Sequence, residues 1–157
     1  MPLGAHWVEE ERAYNFSIYS HHARAVKLLF YDEHDQTNPC FEFALDRLIH
    51  KTTQLWHCRL PVEKLCDARY YAYQMDGPSA KESGWKHAFD PEKILLDPYA
   101  KRVFFPPAFD RTAAREPGSN AGKAPLVVLA DEPPFDWGDD KRPRHRDVMA
   151  APGSFDQ

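Results

Sequence analysis

Apolar and polar residues alternate in five separate stretches between residues 14 and 75. In the first stretch, Tyr14, Phe16 and Ile18 alternate with the polar Asn15 and Ser17. The apolar positions of the other four stretches are Val26/Leu28/Phe30, Phe41/Phe43/Leu45, Trp56/Cys58/Leu60 and Tyr71/Tyr73/Met75. Side chains of a strand point alternately to its two faces, so this period of two predicts five strands, each with one face on a core. Their aromatic and β-branched residues are typical of strands.

Turn-forming residues separate the predicted strands at residues 20–22, 32–39 and 76–78. Residues 62–66 are long enough for one helical turn at most. Several short strands separated by turns predict an all-β fold, an immunoglobulin-like antiparallel sandwich. Residues 126–129 could supply a late strand of this sandwich, or could pair with a neighbour outside the chain.

Two Asp-Pro steps, Asp90-Pro91 and Asp97-Pro98, bracket the aliphatic run at residues 94–96. Proline restricts its own φ and pushes the preceding residue toward extended geometry, so each step predicts a fixed bend. Three aliphatic residues are too few for a helix, and we expect an extended segment held on an apolar surface.

Residues 106–124 contain prolines and glycines without periodicity, and they predict a long, mobile surface connection. We therefore assign residues 1–100 to the sandwich and residues 101–157 to an irregular, proline-rich connection and tail.

Composition argues against several partners. The formal charge is −4, and the basic run at residues 141–146 is flanked by aspartates, which is typical of a solvated tail rather than a nucleic-acid site. We expect no membrane association, because no apolar run approaches the ~20 residues that span a bilayer and the first residues do not resemble a signal peptide. Three cysteines, an odd number without metal-ligand spacing, favour a reduced cytoplasmic setting.

No residue pattern points to an active site. His57 and Cys58 are adjacent on a predicted strand. Consecutive side chains of a strand point to opposite faces of the sheet, so these two should not contact each other. The neighbouring acids at residues 131–132 and 139–140 do not resemble a glycosidase pair, which spans the scissile bond from distant positions of a rigid scaffold. Phosphate-binding loops and nucleophile elbows are also missing from the sequence. We expect a non-catalytic chain without a cofactor or a metal.

Six segments resemble, in order, the N-terminal domain of isoamylases and glycogen debranching enzymes, which belongs to carbohydrate-binding module family 48. They lie at residues 2–7, 15–20, 23–32, 56–61, 71–78 and 89–101, with a weaker similarity at 135–140. The most specific segment is 89–101, which resembles the link between that domain and the catalytic barrel. The resemblance implies an immunoglobulin-like sandwich followed by a (β/α)8 barrel that hydrolyses α-1,6 branch linkages and that this chain does not contain.

The resemblance also implies a surface that docks on the barrel. The residues that would supply this apolar surface are Ile94, Leu95, Leu96, Pro98, Tyr99 and Trp137. Such a patch on an isolated domain calls for a partner, and self-association is an expected consequence of it.

A glucan site needs exposed aromatic rings beside polar groups, because the C–H faces of sugar rings stack on aromatic side chains. Trp85, Tyr70 and Gln74 are our candidates. Glycan-binding relatives also place a tryptophan near Trp85, although its position in the sequence favours packing in the loop or against a neighbouring domain over sugar stacking. The lysine that such relatives carry on the same strand corresponds to Ala72 here. We expect Trp56 in the core and Trp7 in the core or at its edge.

Three functions remain open from the sequence. The first is the accessory domain of a debranching-type hydrolase, which docks on the barrel and contacts glycogen or another α-glucan. The second is a freestanding α-glucan-binding protein. The third is a scaffold domain that uses the same apolar segment to bind another protein.

Overall fold

Ten β-strands form most of the regular structure in the part of the chain that the computed structural model describes, residues 2–83, 87–129 and 138. Their bounds are β1 Gly4–Val8, β2 Ala13–Tyr19, β3 Ala25–Tyr31, β4 Phe41–Leu45, β5 Lys51–Thr52, β6 Leu55–Pro61, β7 Tyr70–Asp76, β8 Ile94–Leu95, β9 Val103–Phe104 and β10 Leu126–Val128. One short α-helix, α1, spans Ala80–Ser83, and 3-10 turns span Glu9–Glu11 and Val62–Lys64. None of these helices is long and apolar enough to cross a bilayer.

The strands form two antiparallel sheets. The first sheet has the order β1-β2-β6-β5, and the second has the order β4-β3-β7-β10-β9. β8 pairs with the part of β7 around Tyr73 and Gln74, whereas β10 pairs with the part around Tyr70 and Tyr71. The predicted all-β, immunoglobulin-like sandwich is therefore confirmed. In the second sheet, β7 pairs with three other strands, β3, β8 and β10.

The core between the sheets contains the apolar positions of the alternating pattern. Trp56 is fully buried, as predicted. Phe16 meets Phe30 and Tyr71 edge to face, with ring centroids 5.4 and 5.1 Å apart. Burial of each such side chain contributes roughly 1.5–3 kcal/mol. Edge-to-face pairs add to that contribution. The aromatic residues of the alternating stretches therefore form the centre of the core.

A second apolar cluster covers the outer face of the second sheet. Its buried members are Leu29, Tyr31, Ala72, Ile94, Ala124 and Leu126. Asn120 holds the covering segment in place: its Oδ1 accepts a hydrogen bond from the Ile94 backbone N–H at 2.7 Å, and its Nδ2 donates to the Ile94 carbonyl at 3.1 Å. Residues 120–124 thus pack onto the sheet, whereas residues 107–119 lie largely at the surface, where the connection was predicted. Side-chain-to-backbone bonds, which leave no periodic pattern in a sequence, produce this packing.

Several short elements differ from the prediction. The alternation did not indicate β1, β5, β8 or β9, and no pattern indicated α1. β10 is the predicted late strand, and it pairs with β7 and β9 of the same chain. The proposed boundary at residue 100 remains a prediction, although the second sheet includes two strands beyond it.

A disulfide joins Cys40, just before β4, to Cys66 in the β6–β7 connection, and the two Cα atoms are 6.5 Å apart. We predicted reduced cysteines from their odd number, and the structure instead pairs two of the three. Cys58 is the remaining thiol; it faces the core, and burial raises its pKa to about 12. Cys58 therefore has the properties of a small apolar core residue.

Candidate functional site

The predicted glucan contacts Tyr70 and Gln74 lie on the same outer face of β7. Ala72 lies between them, and it is completely buried by the second apolar cluster. Tyr70 and Gln74 are therefore separated along the strand by about 13 Å of covered surface. They do not form one continuous binding face, and the position where the resemblance implies a lysine is inaccessible to a ligand.

Tyr70 stacks on Phe104 of β9, with ring centroids 4.4 Å apart and ring planes 18° apart. One face of the Tyr70 ring is therefore occupied by the chain itself. This contact depends on β9 lying at the sheet edge, which the sequence pattern did not indicate.

Gln74 borders an open groove of about 260 Å³, which we call the polar groove. Lys27, Asp76, Ala44 and Pro91 also line it. Lys27 Nζ lies 2.9 Å from Glu42 Oε2, and both side chains are substantially exposed, so this ion pair adds little stability. The groove offers hydrogen-bond donors and acceptors above small apolar side chains. No aromatic ring of the described residues lines it.

A larger groove of about 720 Å³, the apolar groove, adjoins the polar groove and shares Met75 and Pro91 with it. Asp90 ties its walls together, because Oδ1 accepts from the Glu92 N–H at 3.0 Å and Oδ2 accepts from the Gly118 N–H at 2.9 Å. Lys93 Nζ adds a 2.5 Å bond to the Ala113 carbonyl. The groove is therefore preformed, and its size falls within the roughly 300–1,000 Å³ of small-molecule sites.

The candidate Trp85 lies outside the described residues, between α1 and His87. His87 stacks on His22 of the β2–β3 loop, with ring centroids 4.0 Å apart, and His21 lies 4.4 Å from His22. Loss of hydration and the two neighbouring imidazoles lower the pKa of His22. Protonation would place like charges together, so this contact between the loops is sensitive to pH.

The segment that leaves the sandwich is fixed by Asp97, whose side chain is 1% exposed. Its Oδ2 accepts a 2.7 Å hydrogen bond from the Tyr71 hydroxyl, and its Oδ1 accepts one of 2.8 Å from the Tyr99 backbone N–H. Burial, and then the Asp97 carboxylate, raise the pKa of Tyr71 well above its usual range. The bend predicted from Asp97-Pro98 is thus held by a side chain 26 residues away, which sequence reasoning missed.

Tyr99 borders an aromatic pocket of about 240 Å³ at the open side of the sandwich, between β1 and β10. Trp7 and Tyr14 form its wall, with ring centroids 4.9 Å apart. Lys101 and Arg102 also line it, and no carboxylate of the described residues does so. The pocket therefore combines apolar rings with positive charge.

The predicted docking residues have different environments. Ile94 is 6% exposed and is already used in the second cluster, so it has little surface left for a partner. Leu96 is half-buried against the main core. Leu95, Pro98 and Tyr99 remain exposed. Trp137 lies outside the described residues. Asn120 holds Ile94 against the sheet, and Asp97 fixes the backbone at the exposed Tyr99.

The catalytic groups considered from the sequence do not come together among the described residues. They contain no group of three or more His, Cys, Asp and Glu side chains that could hold a metal ion. The His57 ring bonds the Thr52 hydroxyl, with Nε2 and Oγ1 2.9 Å apart, while Cys58 faces the core. The acid pairs near the C-terminal end of the sequence lie outside the described residues. His57 and Cys58 therefore do not form a nucleophile–base pair.

A protein-family comparison matches residues 2–100 to the carbohydrate-binding module 48 family, described as the isoamylase N-terminal domain. The chain belongs to this family. The resemblance read from the six ordered segments is thereby confirmed, and the match ends at the segment that Asp97 holds.

Named relatives of this carbohydrate-binding module 48 chain are much longer enzymes. The glycogen debranching enzyme of Yersinia enterocolitica is 31% identical over 153 residues, which cover 90% of this chain and 20% of the enzyme. Isoamylase 3, chloroplastic, of Oryza sativa is 35% identical over 147 residues, which cover 90% of this chain and 17% of the relative. The chain thus spans about a fifth of the relatives it matches, and the domain forms part of larger enzymes.

Solved structures share the fold. The pullulanase SAP of Group B Streptococcus, in complex with maltotetraose, superposes with a TM-score of 0.56 at 17% identity, over 83% of this chain and 14% of the pullulanase. The multi-modular glycogen-degrading pneumococcal virulence factor SpuA gives 0.57 at 20% identity, over 83% of this chain and 12% of SpuA. At these identities the likeness concerns the sandwich fold alone.

Proposed function

We propose that this chain is the non-catalytic N-terminal accessory domain of a debranching-type enzyme that hydrolyses α-1,6 linkages in branched α-glucans. One observation supports the proposal most directly: the family match covers residues 2–100, while 90% of the chain corresponds to only 20% of a glycogen debranching enzyme. A domain of this kind would act by positioning glucan and by supporting a catalytic barrel, since its own described residues lack catalytic geometry.

Docking on the barrel would use the aromatic pocket and the exposed Tyr99. Tyr99 is 49% exposed beside a preformed pocket, and the Asp97 hydrogen bonds fix its backbone. Lys101 at the pocket favours an apolar side chain flanked by an acidic group on the barrel. A rigid aromatic side chain beside a pocket is typical of an interface anchor.

A chimaera tests docking, with this chain in place of the matching fifth of the Yersinia enterocolitica enzyme. We expect the chimaera to hydrolyse branched glucan and the isolated chain to hydrolyse none. Tyr99→Ala should lower the thermal midpoint and the hydrolysis rate of the chimaera. Tyr19→Ala is the matched control, because Tyr19 is a similarly exposed tyrosine, 56%, that does not line the pocket. Equal effects of the two substitutions would contradict the docking proposal.

Glucan contact would use the polar groove together with Trp85. Lys27, Gln74 and Asp76 offer donors and acceptors for sugar hydroxyls, and Ala44 and Pro91 offer a flat apolar floor. The missing aromatic platform would come from Trp85, which follows α1 in the sequence.

The same grooves favour a second candidate, a domain that binds α-glucan without a catalytic neighbour. Co-sedimentation of the purified chain with glycogen tests it. We expect Trp85→Ala and Gln74→Ala to weaken binding and Gln36→Ala, on the β3–β4 loop, to leave it unchanged. If the chain does not co-sediment although the chimaera remains active, docking is its main role.

A further inference from the structure

We infer that Cys40 and Cys66 form a reversible redox-modification site, which a dithiol reductant opens and a low-molecular-weight disulfide closes. The two cysteines are bonded in the structure, and both residues are exposed. Exposed disulfides are accessible to thiol exchange and include the labile, regulatory ones. Cys58 is 4% exposed in the core and does not take part.

The disulfide connects the start of β4, which is held weakly, to the turn at Cys66, which is held firmly. On one side, Cys40 leads into β4, an edge strand that pairs only with β3 within its sheet. The Cys40 N–H donates a 2.8 Å hydrogen bond to the Phe30 carbonyl and so extends the β3–β4 ladder. An edge strand paired on one side is among the elements of a sheet that open most readily.

On the other side, Cys66 is anchored firmly. The preceding Leu65 is 2% exposed in the core, and the Arg69 N–H donates to the buried Tyr31 carbonyl at 2.9 Å. Cys66 and Asp67 both have left-handed backbone angles, with φ of 47° and 55°. Non-glycine residues rarely adopt this conformation, and two in succession store strain that the surrounding packing must hold. The disulfide thus ties a weakly held strand to a rigid, strained turn.

Reduction transfers two electrons and two protons from the dithiol. One donor thiolate attacks one Sγ, the Cys40–Cys66 bond breaks, and a mixed disulfide forms with a released cysteine thiolate that takes up a proton. The second donor thiol then attacks the mixed disulfide, releases the second cysteine, and leaves the donor oxidised. Glutathione disulfide reverses the sequence and is itself reduced to two thiols.

The consequence of reduction is local opening at the start of β4. The constraint is lost while the core contacts of Leu65 and Tyr31 remain. We therefore expect residues 40–43 to exchange their amide hydrogens faster, and the β2–β6 ladder around Phe16 to keep its protection.

Differential alkylation with peptide mapping tests the site in the full chain. After treatment with glutathione disulfide, we expect a linked Cys40–Cys66 pair that resists alkylation. After dithiothreitol under native conditions, both thiols should be labelled, and Cys58 should be labelled only on unfolding. Thiols at Cys40 and Cys66 that stay free after oxidation, or a bond that opens only in denaturant, would overturn the inference.

Hydrogen exchange tests the structural effect. In the reduced chain, amides of residues 40–43 should exchange at least about tenfold faster than in the oxidised chain. Cys40→Ser should show the fast exchange in both redox conditions, which separates loss of the bond from any other action of the reductant. Unchanged exchange on reduction would show that the bond does not control β4.

Discussion

At the scale of single residues, the buried Asp97 carboxylate determines how the chain leaves the sandwich. Its two oxygens accept one bond from Tyr71 in β7 and one from its own turn at Tyr99. Hydrogen bonds to a charged, buried group are among the stronger ones, and an unmade bond leaves that charge partly unsatisfied. The position of Tyr99 beside the aromatic pocket therefore depends on a contact deep in the sheet.

Removal of the Tyr71 hydroxyl should destabilise the fold measurably. We expect Tyr71→Phe to lower the free energy of unfolding by about 2 kcal/mol, because it leaves one oxygen of a buried carboxylate without its partner. Urea unfolding of the purified chain measures the change. Tyr73→Phe is the matched control, since its hydroxyl is buried without a hydrogen-bond partner among the described residues. An equal loss in both variants would contradict the assigned role of Asp97.

The imidazole stack gives stability a pH dependence with a definite sign. The folded-state pKa of His22 lies below its ordinary 6.5, so the unfolded chain binds more protons as pH falls through this range. This contribution to stability is complete above about pH 6.5 and is lost on acidification. We expect His87→Asn to reduce the slope of the urea midpoint between about pH 5 and 7. His34→Asn, in the exposed β3–β4 loop, should preserve the slope, and a slope unaffected by either change would argue against the stack.

At the scale of elements, the sequence predicted the strands whose apolar and polar side chains alternate. Five strands with a repeated inward face were readable because each buries one row of side chains. β8 and β9 are two residues long and exist only through pairing with β7 and β10, so no periodicity could indicate them. Gln74 and Tyr70 lie on one face of β7, as the alternation of side chains along a strand requires. The cover over Ala72 was not predictable, because it comes from residues 94–126, whose packing is set by side-chain bonds rather than by pattern.

The Asn120 clamp can be tested as an element-level feature. We expect Asn120→Ala to lower the free energy of unfolding by about 2 kcal/mol, because the buried backbone N–H and C=O of Ile94 both lose a partner. Limited proteolysis between residues 106 and 119 should also become faster. Asn38→Ala, which changes an exposed asparagine, should have neither effect. Resistance to proteolysis equal to that of the unmodified chain would contradict the clamp.

At the scale of the whole molecule, the two proposed binding surfaces lie on different sides of the sandwich. The polar groove lies on the outer face of the second sheet around Lys27 and Gln74, and the aromatic pocket lies between β1 and β10 around Trp7 and Tyr99. The two surfaces share no lining residue. A domain arranged in this way can contact glucan and a catalytic neighbour at the same time.

The two surfaces should therefore respond independently to substitution. In the chimaera, we expect Gln74→Ala to weaken glycogen co-sedimentation without lowering the thermal midpoint, and Tyr99→Ala to do the reverse. The double variant should show the sum of the separate effects, as distant sites usually do within about 0.5 kcal/mol. A midpoint change caused by Gln74→Ala, or strong non-additivity, would indicate one shared surface.

The way β7 pairs has a practical consequence for anyone who shortens or recombines this domain. A piece cut after residue 100 would lose β9 and β10, and the half of β7 around Tyr71 would then have no neighbour on the side opposite β3. Leu126 and Ala124 would also no longer shield Ala72 and Leu29. Such an exposed apolar strand edge, with unpaired backbone N–H and C=O groups, can pair with another chain and lead to aggregation. Truncation after Leu129 keeps that edge closed, so soluble expression should depend more on this choice of end point than on the limits of the family match.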